Sequence, residues 1–137
     1  MGKRHNQKGR TTGESRHVRL YHWLMDTAAW SSLNCVARCA YIEMSSRYAG
    51  SGSNNGKIHM SVREIAEALH VSKATSMRAL NLLQDRGFIV LMKKGAFSMK
   101  VRHASEWRLT EFMCDVTGAM ATKDFARWTK EKNTVSA

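Results

Sequence analysis

Arg78 and Asn81 stand about one helical turn apart in the string Lys73-Ala74-Thr75-Ser76-Met77-Arg78-Ala79-Leu80-Asn81-Leu82-Leu83. Arg presents parallel N–H donors, and Asn presents a donor beside an acceptor. These match the two acceptors of guanine and the donor–acceptor pair of adenine in a major groove, while Ala74 or Met77 can touch a thymine methyl. Lys73 adds charge at the start of the string, and Ser72 and Thr75 offer hydroxyls there. The chemistry these residues could do is base and phosphate recognition. The same residues also suit the solvated face of an ordinary helical hairpin, and the elements that carry them bear on the choice.

At about 100° per residue, Ser76, Ala79, Leu80 and Leu83 share one face of a helix and Ala74, Met77, Arg78, Asn81 and Asp85 the other. Ser72 is the expected N-cap. A first helix should precede it: Ser61 and Glu64 form a capping box, and Ile65, Ala66 and Leu69 recur at the spacing of one buried face. Leu69-His70-Val71 is the corner between the two helices. Gly87 ends the second helix. Phe88–Met92 is an apolar, β-prone run, Lys93-Lys94-Gly95 is a turn signal, and Ala96–Arg102 alternates like a half-buried strand.

Helix, turn, helix and then a hairpin with lysines at its tip is the order of a winged helix. VSKATSMRALNLLQDRGFIV resembles the winged helix-turn-helix domains of small bacterial transcription regulators and plasmid replication initiators, over about residues 33–110. His70 stands where that family usually has Gly, at a corner that tends to need positive φ, which His tolerates at some cost. Ser76 stands where the family often has Val, leaving space that Trp30 or Tyr41 could fill. The resemblance implies an α+β, mainly helical fold: a three-helix core with a small antiparallel sheet and wing. It implies a DNA site of Lys73, Ala74, Met77, Arg78 and Asn81 in the major groove, with Ser72 and Thr75 at phosphate. Lys93, Lys94 and Lys100 would reach out from the wing, and Arg63 would anchor the first helix across the backbone.

The charge distribution points the same way. Residues 1–19 carry six Lys or Arg against one Glu, residues 57–103 carry nine against three, and the remainder sums to zero. Excess positive charge confined to these two segments is the footprint expected for a polyanionic partner. Residues 1–18 are too polar to bury a core and are expected to be a disordered basic arm; a solubilising tail is the alternative. Residues 19–112 would form the DNA-binding domain and 113–137 a C-terminal extension. Cys35, Cys39 and Cys114 have no disulfide-framework spacing, which suits a reducing cytoplasm, with the protein associated with the nucleoid. No apolar run reaches the length of a membrane span, and the basic N-terminus lacks an apolar stretch, so no secretory signal is expected.

Elsewhere, Leu20–Trp30 suggests a short helix or helix pair. Asn34 should cap a longer helix burying Ala37, Ala40, Tyr41, Met44 and Tyr48. Gly50–Gly56 reads as a flexible loop, Lys57–Met60 as a short strand, and Trp107–Thr110 as a strand extending the wing sheet. Thr122 could cap a short helix carrying Phe125 and Trp128. That aromatic pair either closes the core or binds a second copy or another protein.

No carboxylate cluster, phosphate loop, zinc spacing or activated nucleophile is present, so neither enzyme activity, a metal nor a cofactor is expected. The reading is a sequence-specific double-stranded DNA-binding transcriptional regulator and repressor, plausibly of plasmid or mobile-element functions such as conjugation. Two alternatives stand beside it: an accessory replication or partition protein that binds origin repeats, and a protein-binding adaptor using the Phe125–Trp128 face.

Overall fold

The computed structural model describes residues 15–98 and 101–130. Two short helices, α1 (His22–Met25) and α2 (Ala28–Ser31), lead into α3 (Cys35–Arg47). Strand β1 (Ile58–His59) precedes the helical pair α4 (Val62–Leu69) and α5 (Lys73–Asp85). A long hairpin follows, made of β2 (Ile89–Lys93), β3 (Ala96–Ser98), β4 (Val101–His103) and β5 (Glu106–Leu109), and a 3-10 helix spans Asp124–Arg127. Helices α3, α4 and α5 pack on one another, and β5 lies between β1 and β2 in an antiparallel sheet. This is the winged-helix α+β arrangement expected from the sequence.

The helix starts are formed by the expected caps. Asn34 Oδ1 accepts from Ala37 N at 2.8 Å, Ser61 Oγ from Glu64 N at 3.0 Å, and Ser72 Oγ from Thr75 N at 3.1 Å. Each satisfies a backbone donor that the helix itself leaves unpaired. Ala37, Ala40, Tyr41 and Met44 of α3 are fully buried, while Tyr48 just beyond it is half-buried and stacks on Phe112 at 4.5 Å. Trp107 and Leu109 of β5 face the core and Arg108 faces away.

The core is aromatic. Trp30, Tyr41 and Phe88 meet edge to face, with centroids 5.4–5.9 Å apart, and Phe125 stacks on Phe88 at 4.7 Å. Phe125 is fully buried, so it closes the domain's own core and is not a docking surface. Trp128 is half-buried, with the Arg86 guanidinium 4.3 Å over its ring. Gly87 makes this closure possible: it has φ +84°, and a Cβ there would stand 2.7 Å from Asp124 Cβ and 2.9 Å from Phe125 N. The cap expected at Thr122 falls instead at Lys123, whose backbone is left-handed, and the turn it opens ends before Trp128.

Gly50–Gly56 differs from expectation more deeply. It is a pinned loop, not a flexible one. Asn55 is fully buried, its Oδ1 accepting from Leu109 N at 2.7 Å and its Nδ2 facing the carbonyls of Leu109, Phe112 and Met113 at 2.9–3.2 Å. Asp115 accepts from Gly52 N and Asn55 N, and Asn54 bridges Ala49 N and Arg47 O. Side chains thus satisfy backbone groups that no regular ladder reaches.

The wing also departs from its predicted register. Lys93 pairs with Glu106, Ala96 with His103 and Ser98 with Val101, after a bulge between Leu91 and Lys93. Residue numbers in these pairs keep a constant sum, so Lys93-Lys94-Gly95 is not the turn: Lys94 and Gly95 carry the chain from β2 on to β3, and the pairing extends to Ser98 with Val101. Gly95 is there for close approach: a Cβ would stand 2.8 Å from His103 O and 3.0 Å from Ser105 N, and its own N–H donates to Ser105 Oγ. Lys93 and Lys94 therefore sit midway along the hairpin, with the Ser98–Val101 pair roughly 17 Å beyond Lys93.

Candidate nucleic-acid interface

Helix α5 separates its two faces as its periodicity requires. Ser76, Ala79, Leu80 and Leu83 are at most 2% exposed, while Lys73, Ala74, Met77, Arg78 and Asn81 all face solvent. Ser76 does not leave space for an aromatic ring. Its hydroxyl donates to Val62 O at 2.8 Å, tying the start of α5 to the start of α4. That bond satisfies a buried hydroxyl and fixes the angle between the two helices.

The corner between them turns on His70, whose φ 55° and ψ 46° are left-handed. This is the backbone state that the departure from glycine called into question, and histidine adopts it here. Arg63, Ala66, Glu67, His70, Val71 and Lys73 then line one open cleft at the corner. Arg63, expected across the DNA backbone, and Lys73, expected to lead α5 into the major groove, are thus brought together with His70. The sequence reading used His70 only as a backbone position.

Arg63 is exposed and pairs with Glu67 at 3.1 Å. An exposed i, i+4 pair of this kind is worth about 0.3–0.5 kcal/mol, so Arg63 can exchange its partner at little cost. Arg78 has no carboxylate partner among the described residues. Its Nη2 donates to Thr75 Oγ1 at 3.3 Å, and Ser72 Oγ donates to the same oxygen at 3.0 Å. The Thr75 hydroxyl is therefore engaged within the protein. Lys93 and Lys94 are exposed midway along the hairpin, whereas Lys100 and residues 1–14 of the expected arm lie outside the described residues.

Support for this face comes from behind it. Arg47, at the end of α3, donates to His59 O and pairs with Glu64, joining α3, β1 and α4. Tyr41 donates to Glu111 at 2.5 Å across the core. Burial pushes the Glu111 carboxyl above its ordinary range, partly offset by the Tyr41 hydrogen bond and the Lys123 charge. Burial, followed by the nearby Glu111 charge, raises the Tyr41 phenol well above its usual value. Among the described residues, no three His, Cys, Asp or Glu side chains converge as a metal site would need. No helix among them is long and apolar enough to cross a membrane.

A family model described as MarR family matches residues 52–108, from the pinned loop through α4, α5 and the wing into β5. That stretch carries the helix-turn-helix pair and the wing of the winged-helix fold, and the family it is similar to is one of transcription regulators. The match leaves α1, α2, α3 and the C-terminal turn outside it, although those elements complete the winged-helix core. No curated protein and no solved structure matches the chain.

Proposed function

We propose that the chain is a sequence-specific repressor that binds double-stranded DNA through α5. The observation that supports this best is the exposed face of α5. Lys73, Ala74, Met77, Arg78 and Asn81 lie outward on a helix whose opposite face is core. In this reading α5 enters the major groove, where Arg78 and Asn81 meet base edges. Lys73 enters the groove with them, and the unpaired N–H groups at the start of α5 meet phosphate, with the Ser72 and Thr75 side chains beside them. Arg63 exchanges Glu67 for a backbone phosphate, and Lys93, Lys94 and Lys100 follow the adjacent backbone. The cationic segment at residues 1–18 adds contacts that do not depend on sequence. Repression follows from occupying a promoter. The resemblance to plasmid-borne regulators extends the proposal to genes of a mobile element, in the cytoplasm and at the nucleoid.

The test is selection of bound duplex from a random pool with the full chain, followed by footprinting and stoichiometry on the selected site. A single palindromic site overlapping a promoter supports repression. An array of protected direct repeats would replace it with the origin-binding reading. Absence of salt-sensitive DNA binding would overturn both.

A further inference from the structure

Four side chains form the outward stripe of α5 at i, i+3, i+4 and i+7: Ala74, Met77, Arg78 and Asn81. Three of them have evident solvated roles or are small. Met77 is different, because it is a large apolar side chain that is 52% exposed in the middle of the stripe. A single exposed apolar residue is ordinary on a protein surface. This one is informative through its setting. Among the described residues it is the one large exposed hydrophobic on α4 or α5, and it sits directly between a potential guanine reader and a small residue. The hydrogen bond from Arg78 to Thr75 draws the guanidinium back toward the start of α5, on which Ser72 also converges.

We infer that Met77, with Ala74 one turn before it, reads the C5-methyl of thymine at a base step next to the guanine taken by Arg78. This rests on the reading that α5 enters the major groove, and it adds the identity of a neighbouring base. The C5-methyl is the apolar feature that thymine presents in that groove. A thioether side chain is flexible and polarisable, so it can close on a methyl group without a fixed approach angle. Thr75 is in this account a positioning residue that holds Arg78 to one side of Met77.

The experiment uses the full-length protein and its selected duplex, with each thymine replaced in turn by uracil. That change removes the methyl and leaves the base-pair hydrogen bonds intact. Affinity should fall about fourfold at the thymine in question, the equivalent of one buried methyl group. In Met77→Ala the thymine and uracil duplexes should bind alike, whereas Met77→Leu should retain part of the preference. Both variants should keep the wild-type melting temperature, since residue 77 is exposed. Indifference of the wild type to every thymine-to-uracil change overturns the inference, as does a preference that persists undiminished in Met77→Ala. Failure of the wild type to bind any duplex overturns it too, and is distinguishable because it removes the DNA-binding reading at the same time.

Discussion

Replacing Asn55 by alanine should destabilise the protein by about 2–4 kcal/mol, although Asn55 lies in a Gly- and Ser-rich loop. The carboxamide is fully buried and bonds Leu109 N at 2.7 Å, Leu109 O at 3.0 Å, Met113 O at 2.9 Å and Phe112 O at 3.2 Å. Alanine leaves the Leu109 N–H without an acceptor inside the sheet, which costs about 1–3 kcal/mol for one buried donor. The carbonyls of Phe112 and Met113 lose a donor nearer the surface, where water recovers part of the loss. The sum is a large share of the roughly 5–15 kcal/mol that holds a domain folded. Urea unfolding should show a lower midpoint at unchanged slope. Asn54→Ala is the control: its bonds to Ala49 N and Arg47 O lie nearer solvent, so its loss should be only about 0.5–1.5 kcal/mol. A cost below about 1 kcal/mol for Asn55→Ala, or one no larger than that of Asn54→Ala, would refute the view that this side chain fastens the loop to β5.

Arg78→Ala should weaken binding to the selected site by about 1–3 kcal/mol and change stability by no more than about 0.5 kcal/mol, checked by titration and melting. Leu80 is 2% exposed, and Leu80→Ala should cost about 2–5 kcal/mol in urea unfolding; an unchanged midpoint would reverse the assigned faces of α5. The raised Glu111 carboxyl gives a pH dependence of defined sign. The folded state holds this proton more tightly than the unfolded state, so stability is present at low pH and is lost as pH rises from the ordinary carboxylate range through the raised folded value. Glu111→Gln should flatten that decline, by at most about 1.4 kcal/mol per pH unit, and an unchanged pH profile would exclude it. Finally, deleting residues 1–18 should flatten the salt dependence of DNA binding by several units, whereas Lys93→Ala with Lys94→Ala should flatten it by less than about two. Equal salt slopes with and without residues 1–18 would make that segment a solvated tail.

The local grammar of this chain was legible because its determinants lie within a few residues of one another. Ser61, Ser72 and Asn34 each bond a backbone N–H three residues on, and spacing alone places them. The buried face of α5 follows equally from periodicity, whereas the left-handed backbone at His70 was expected from the resemblance to winged helix-turn-helix domains, which usually place Gly there. What was missed depends on residues far apart in sequence. Asn55 and Asp115 fasten a loop that composition reads as flexible, through bonds spanning 54 to 63 positions. Gly95 looks like a turn residue, yet it serves the close approach of His103 and Ser105 across the hairpin. Lys93 and Lys94, expected at the wing tip, consequently lie midway along it. The Phe125–Trp128 pair offered an interior or an exterior role with equal sequence support. Only the gap left by Gly87, with Phe88 beneath it, put Phe125 in the core. Caps and periodicity belong to the chain's neighbouring residues, whereas ladder register and the fate of an aromatic ring depend on which distant surface arrives to meet them.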